Sequence, residues 1–146
     1  ALAIEFYPPS QVRTLAETLA VIDAADIASG GDAGIGITLD LLHVMRGGDV
    51  AASLALLAHP RVRIAQLADG PADMAADRID WEAGIQRMLP GQGVFDIAGF
   101  VRALAPGVPV SIEAPRQSAI DAGFPALDRA RAAVDATRAA LSRAPA

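Results

Sequence analysis

The chain of 146 residues is predicted to be an α/β protein made of parallel β/α units. Four short β-rich runs alternate with segments of helical periodicity, and this alternation is typical of parallel strands joined by crossover helices. Each run ends in a polar side chain, at Glu5, Asp40, Gln66 and Glu113. Active sites of such folds lie at the carboxyl ends of the strands. We therefore expect these four oxygen-bearing side chains on one rim of one sheet.

The first half of the chain carries three of the predicted strands. Thr14 and Glu17 have the spacing of a capping box and predict a helix that extends to about Ala28. Asp49 is a suitable N-cap for a second helix over Val50–Ala58. The strands around these helices are predicted over Ala1–Phe6, Ile35–Asp40 and Val62–Leu67.

The second half departs from simple alternation. Residues 69–93 form a long loop, with a short helix predicted around Trp81–Gln86, and such a loop after a strand is typical of a lid or binding loop. Asp96 is positioned to cap the next helix. The fourth strand is predicted over Val108–Glu113, and a terminal helix over 125–143 carries Leu127, Val134 and Leu141 on one side.

These elements predict a single (β/α)4 domain over residues 1–146. Two architectures fit this order: a small open sheet of four strands, or half of an eight-stranded β/α barrel. Four parallel strands alone leave two exposed edges, which proteins usually cover. A half barrel therefore needs a second half, from a missing N-terminal segment, a partner chain or a copy of itself.

Composition excludes several classes of function. The net charge of −5 and the lack of a basic patch argue against nucleic-acid binding. No apolar run approaches the roughly 20 residues that span a bilayer, and no signal peptide is evident, so we expect no membrane partner and a cytoplasmic location. The sequence contains no Lys and no Cys, which excludes Schiff-base chemistry and a thiolate metal site.

The four strand-end residues have the chemistry of a metal site. Carboxylate and amide oxygens suit Mg²⁺ or Mn²⁺, and a divalent cation relieves the repulsion between carboxylates on one rim. Alternatively, each residue caps the following helix or pairs with a nearby Arg.

Two further side chains are candidates for substrate binding. His43 follows Asp40 by three residues and is a candidate general base or substrate contact; the alternative is a hydrogen bond to backbone. Arg87 is suited to bind a substrate oxygen or phosphate, or else lies solvated on the loop. Trp81 is a candidate pocket wall, and His59, between a helix and a strand, is expected to be structural.

The motifs at the strand ends and in the long loop resemble those of one known family. They are Ala3–Phe6, Leu39–His43, Ala65–Gly70, Arg87–Gly93 and Ser111–Glu113. In this order and spacing they resemble the C-terminal half, strands 5–8, of the xylose isomerase-like TIM barrels, the sugar phosphate isomerase/epimerase family.

The resemblance implies roles for individual residues. Glu5, Asp40, Gln66 and Glu113 would be the metal ligands, Glu5 and Glu113 would also act as acid and base, and His43 and Arg87 would contact the substrate. The metal implied is Mn²⁺ or Mg²⁺, with Co²⁺ or Zn²⁺ as alternatives. Gln66 stands where many members have His, and Gln92 stands where Glu is common.

The activity implied is isomerisation or epimerisation of a sugar-like, polyhydroxylated carbonyl compound by proton transfer through an enediolate. One alternative is a metal-dependent dehydratase of the 3-dehydroshikimate type. An alternative of another class is a non-catalytic, truncated or self-associating half barrel. The superfamily's apurinic-site endonucleases have His-rich zinc sites, which two His in an acidic chain do not match.

Overall fold

The computed structural model describes residues 2–143 and contains one four-stranded parallel sheet. The strands lie side by side in chain order. They are β1 (Leu2–Glu5), β2 (Ile35–Asp40), β3 (Val62–Leu67) and β4 (Val110–Ile112). The predicted α/β fold of parallel units is confirmed. The assignment of residues 1–146 to one domain stays a prediction, and its residues 1 and 144–146 lie outside the described part.

One or two helices follow each strand. They are α1 (Leu15–Ser29), α2 (Leu41–Arg46), α3 (Val50–Ala55), α4 (Ile79–Gly84), α5 (Ile97–Ala103), α6 (Gln117–Asp121) and α7 (Ala126–Ser142). The capping box of α1 forms as predicted, since Thr14 Oγ1 accepts from the Glu17 N–H and Glu17 Oε2 accepts from the Thr14 N–H. Gly30, with φ of 74°, ends this helix in the left-handed conformation that glycine tolerates best.

The core lies between the central strands and the helices packed on them. The fully buried side chains of β2 and β3 meet apolar residues of α1, α2 and α5. This core includes Leu15, Ile22, Ile37, Leu39, Leu42, Ala65, Leu67 and Phe100. The rim is set by register: Asp40 is the ladder partner of Gln66, and Gln66 is the ladder partner of Ser111. The strand ends therefore lie next to one another.

Several elements differ from the sequence-based expectation. Leu41–Arg46 is a helix, because the Asp40 side chain caps it directly at the end of β2; six residues are too few to show helical periodicity. Helix α6 has only five residues and was not predicted for the same reason. Helix α3 ends at Ala55, three residues before the predicted end. On α7 the side with Leu127, Val134 and Leu141 is exposed, whereas Thr137 and Ala140 are buried.

The two edge strands carry exposed apolar side chains. Leu2 on β1 is 63% exposed and Val110 on β4 is 40% exposed. Among residues 2–143, no helix has the length and apolar character needed to cross a membrane.

Candidate active site at the carboxyl rim of the sheet

Asp40 and Arg87 form a buried ion pair at the centre of the rim. Arg87 Nη1 lies 2.5 Å from Asp40 Oδ2, and the two side chains are 2% and 0% exposed. The other oxygen, Oδ1, accepts from the N–H groups of Leu42 (2.7 Å) and His43 (3.3 Å) at the start of α2. The alternatives of capping and of Arg pairing therefore both describe Asp40 in this structure. Arg87 is not the solvated loop residue that one alternative described.

Arg87 is held by backbone as well as by charge. Its Nε donates to the Ala83 carbonyl (2.8 Å) in α4, and Nη1 donates to the Glu113 carbonyl (3.1 Å) beyond β4. Its N–H donates to the Pro115 carbonyl, 2.8 Å away. One guanidinium thus joins the ends of two strands to the long loop, which fixes its orientation.

His43 faces Glu5 across the gap between β1 and α2. His43 Nε2 lies 3.2 Å from Glu5 Oε1; the imidazole is nearly buried and the carboxylate is 36% exposed. The rings of Phe6 and Tyr7 meet the imidazole edge-on, with centroids 6.4 and 5.2 Å away. His43 is therefore oriented toward the rim, with its distal nitrogen at a carboxylate.

Glu113 and Gln66 form the other side of the site. Gln66 Nε2 donates to Glu113 Oε2 at 2.5 Å, and Arg87 Nη2 lies 3.9 Å from Glu113 Oε1. Partial burial raises the pKa of Glu113 above its usual value; the Arg87 charge opposes this rise, and the charges of Asp40 and Glu5 add to it. The buried Gln66 Oε1 has no hydrogen-bond partner among the described residues.

The loop that carries Arg87 is held by Asp69, to which the sequence gives no role of its own. Asp69 is fully buried, and its carboxylate accepts from the N–H groups of Gly70 (2.9 Å), Gly91 (2.8 Å) and Phe95 (3.0 Å). Its backbone also exchanges hydrogen bonds with Met88, the neighbour of Arg87. The local signal for Asp69 is the Asp-Gly pair that follows β3, but such a pair is typical of an ordinary turn and does not indicate a buried carboxylate.

A second buried ion pair, between α2 and α4, stabilises the same loop. Arg46 donates from Nε and Nη2 to both oxygens of Glu82, at 2.7 and 2.9 Å, and Glu82 is 2% exposed. The guanidinium lies 5.3 Å from the Phe95 ring centroid and also donates to the Pro71 carbonyl. Gln92, at the position where the family often has Glu, closes the turn by accepting from the Leu89 N–H.

The donor atoms at the rim fit a divalent cation. Glu5, Asp40 and His43 each offer one ligand atom, and these atoms lie within 4.8 Å of one another. Asp40 Oδ2 has one hydrogen-bond donor and therefore retains a free lone pair. The unpartnered Gln66 Oε1 adds another oxygen beside Asp40. Hard oxygen donors with one imidazole are a suitable set for Mg²⁺, Mn²⁺ or Zn²⁺.

The remaining sequence-derived candidates lie apart from this cluster. His59 accepts a hydrogen bond from the Arg61 N–H (3.2 Å) in the turn before β3, as expected of a structural residue. Trp81 is 38% exposed and stacks with the Arg78 guanidinium, 3.9 Å from the ring centroid.

The strand ends of this parallel β/α sheet carry the polar side chains, as in α/β proteins whose ligands bind at that edge, and the family follows from comparison. A family model described as xylose isomerase-like TIM barrel matches residues 1–140. The chain belongs to this family, and the resemblance drawn from its strand-end motifs is confirmed.

Relatives share the fold over most of this chain but extend well beyond it. A 3-dehydroshikimate dehydratase from Pseudomonas aeruginosa is 32% identical over 132 residues, which are 90% of this chain and 19% of that protein. The IolI protein, solved with a bound zinc atom, superposes with a TM-score of 0.71 at 20% identity, over 97% of this chain and 48% of IolI. A fusion of a xylose isomerase-like TIM barrel with a 4-hydroxyphenylpyruvate dioxygenase gives 0.65 at 26% identity, covering 93% and 20% of the two chains. The chain thus spans between about a fifth and a half of these proteins.

Proposed function

We propose that this chain supplies the metal-binding and proton-transfer residues of an enzyme that removes the proton next to a carbonyl in a small polyhydroxylated substrate. The observation that carries the proposal is the convergence of Glu5, Asp40 and His43 on one point of the rim. Three ligand-type side chains from two strand ends and one helix meet there, at the place where this class of fold binds ligands.

The cation is proposed to be held by Glu5 and Asp40, with Gln66, Glu113 and His43 as the further donors within this rim. Mn²⁺ or Mg²⁺ matches the oxygen-rich set, and the zinc atom bound by IolI supports a divalent site in this fold. A bound divalent cation supplies Lewis-acid polarisation of a substrate carbonyl, which makes the neighbouring C–H bond more acidic.

The carboxylates at the two sides of the rim are suited to move the proton. In the metal-free chain burial raises the pKa of Glu113, which makes its carboxylate a stronger base than an exposed one. Glu5 lies on the opposite edge strand, with the His43 imidazole 3.2 Å from its carboxylate. Arg87 is buried, with its guanidinium fixed between Asp40 and Glu113, so it is suited to orient these two carboxylates at the rim.

Two reactions share this first step. Loss of a β-hydroxyl after proton removal gives a dehydratase, and the name of the 32% identical relative favours this outcome for the chain. Return of the proton at the same or a neighbouring carbon gives an epimerase or isomerase, and the two carboxylates on opposite sides of the rim favour that outcome.

The common step is tested by solvent exchange. The purified chain with Mn²⁺ is incubated in D₂O with 3-dehydroshikimate and, separately, with a panel of ketoses and aldoses, and exchange at the α-carbon is followed by NMR. Dehydration of 3-dehydroshikimate is followed in parallel through the ultraviolet absorbance of its aromatic product. We expect Glu113→Gln to slow exchange by roughly a hundredfold, which is typical for removal of a general base.

A matched control is Glu17→Gln, which changes an exposed carboxylate on α1 and leaves the rim intact. Exchange that is equally fast in Glu113→Gln and wild type would remove Glu113 as the base. Metal binding without turnover of any compound would support the non-catalytic half barrel instead.

The rim is completed, in this proposal, by a second half barrel. The exposed apolar residues on both edge strands, Leu2 and Val110, support such a contact. The partner is a further segment of the same polypeptide, a separate chain or a second copy.

A further inference from the structure

Three consecutive residues at the end of β1 surround the imidazole of His43. Glu5 meets its Nε2 at 3.2 Å, and the rings of Phe6 and Tyr7 pack on it edge-on. His43 itself is 3% exposed. Rotation about χ2 of a histidine is soft and roughly two-fold, so the carboxylate of Glu5 and the packed rings together select the orientation that points Nε2 at Glu5.

Tyr7 is held both by its backbone and by its hydroxyl. Its backbone N–H donates to the Val12 carbonyl (2.9 Å), and its carbonyl accepts from the Ser10 N–H (2.7 Å), which fixes the tight turn after β1. Its hydroxyl donates to Asp80 Oδ1 in the first turn of α4. The contact therefore joins two segments that are 73 residues apart in sequence.

The Tyr7 hydroxyl stays protonated and therefore remains a hydrogen-bond donor in this contact. Burial and the hydrogen bond to Asp80 raise the pKa of Tyr7 to about 12, so the hydroxyl keeps its proton at neutral pH. The ring lies with its centroid 5.2 Å from that of His43, closer than the Phe6 ring. Of the two aromatic neighbours, only Tyr7 has a polar group that holds it in place from outside the core.

We infer that Tyr7, held through its hydroxyl by Asp80, is a positioning residue that keeps the His43 imidazole turned toward Glu5. The inference deepens the proposed function, because orientation of His43 matters for catalysis only if the rim is the active site. It assigns a role to Asp80 as well: this hydrogen bond links the long loop between β3 and β4 to the β1 side of the rim.

The test uses the fact that the chain has only two histidines. His43 lies against the Tyr7 ring, while His59 lies in the turn before β3 and serves as an internal reference. Long-range proton–nitrogen correlation spectra report the ring-proton shifts and the protonated nitrogen of each imidazole in the metal-free chain. We compare wild type with Tyr7→Phe, Asp80→Ala and Asp80→Asn.

Tyr7→Phe keeps the ring and removes the hydroxyl, and Asp80→Ala removes the acceptor. In both variants we expect the His43 signals to shift and broaden while the His59 signals stay unchanged. Asp80→Asn retains an acceptor oxygen and should restore the wild-type signals of His43. The double variant Tyr7→Phe with Asp80→Ala should resemble either single variant, since both break the same bond.

Wild-type His43 signals in both Tyr7→Phe and Asp80→Ala would overturn the inference. So would an Asp80→Asn variant that behaves like Asp80→Ala, because the charge of Asp80 and not the hydrogen bond would then be responsible. Neither result depends on a substrate, so a failure here is distinct from a failure of the proposed reaction. Gln117→Ala, which removes an exposed hydrogen bond on α6, should leave the His43 signals unchanged.

Discussion

Replacing Arg87 by Met tests whether the buried ion pair holds the rim together. Met has a similar length and no charge, so the substitution removes the guanidinium without a large loss of volume. It leaves the Asp40 carboxylate fully buried with only the backbone N–H groups of α2 as donors. The carbonyls of Ala83 and Glu113 lose a donor at the same time.

The size of the effect follows from burial. Removing one partner of a buried ion pair costs about 3–5 kcal/mol, because the remaining charge stays out of water without compensation. That is a large share of a total stability of about 5–15 kcal/mol. For a chain of this size it corresponds to a fall in Tm of roughly 6–20 °C.

The assay is urea unfolding of the metal-free chain, followed by circular dichroism, for wild type, Arg87→Met, Asp40→Asn and the double variant. Asn at position 40 still caps α2, so the double variant loses the charges and retains the cap. We expect the free energy of unfolding of the double variant to exceed the value predicted by adding the two single effects by about 2 kcal/mol. Arg131→Met is the matched control, because its ion pair with Asp128 is exposed and should be worth less than about 1 kcal/mol.

Two results would refute this reasoning. The first is a loss of unfolding free energy in Arg87→Met that is no larger than the loss in Arg131→Met. The second is that the losses caused by Arg87→Met and Asp40→Asn simply add in the double variant. Either result would mean that Arg87 and Asp40 do not form the buried pair on which the description of the rim rests.

Other predictions concern the frame around the site. Thr14→Ala should lower the free energy of unfolding by about 1 kcal/mol through loss of the α1 cap. Glu17 accepts hydrogen bonds from backbone N–H groups, which lower the pKa of its carboxyl group. Its contribution to stability is therefore present above the ordinary Glu pKa and is lost as the pH falls through the lowered Glu17 pKa. Glu17→Gln should remove this part of the acid dependence of unfolding. Gly93→Ala should cost about 3 kcal/mol or more in urea unfolding, because a methyl group there collides with the Gly70 backbone, whereas Gly31→Ala, in open space, should be nearly neutral. Light scattering should give a particle about twice the chain mass if a second copy completes the rim, and a monomer would rule out self-association.

The rim was predictable from sequence because strand ends have a local signature. A β-rich run followed by Glu5 or Asp40 is visible without tertiary information, and parallel topology then brings such ends together. The capping box at Thr14 and Glu17 is equally local, since both partners lie within one turn of helix. These features depend on residues that are neighbours in the chain.

What each rim residue contacts was not predictable. The position of Asp40 at a strand end predicts a metal ligand, with Arg pairing as the alternative, but nothing local marks Arg87, 47 residues away, as its partner. The contact of Tyr7 with Asp80 and the pairing of Arg46 with Glu82 are also long-range. No periodicity or spacing encodes such pairs, because the connecting loops have no fixed length.

The sequence by itself determined the class of fold, the succession of strands and helices along the chain, and the placement of Glu5, Asp40, Gln66 and Glu113 at one edge of the sheet. Those properties follow from local patterns of apolar residues, caps and turns. Only the tertiary structure decided that Asp40 is neutralised by Arg87, that His43 faces Glu5, and that Asp69 organises the loop between β3 and β4. These depend on which side chains are removed from water together, and burial is a property of the packed chain rather than of any segment of it.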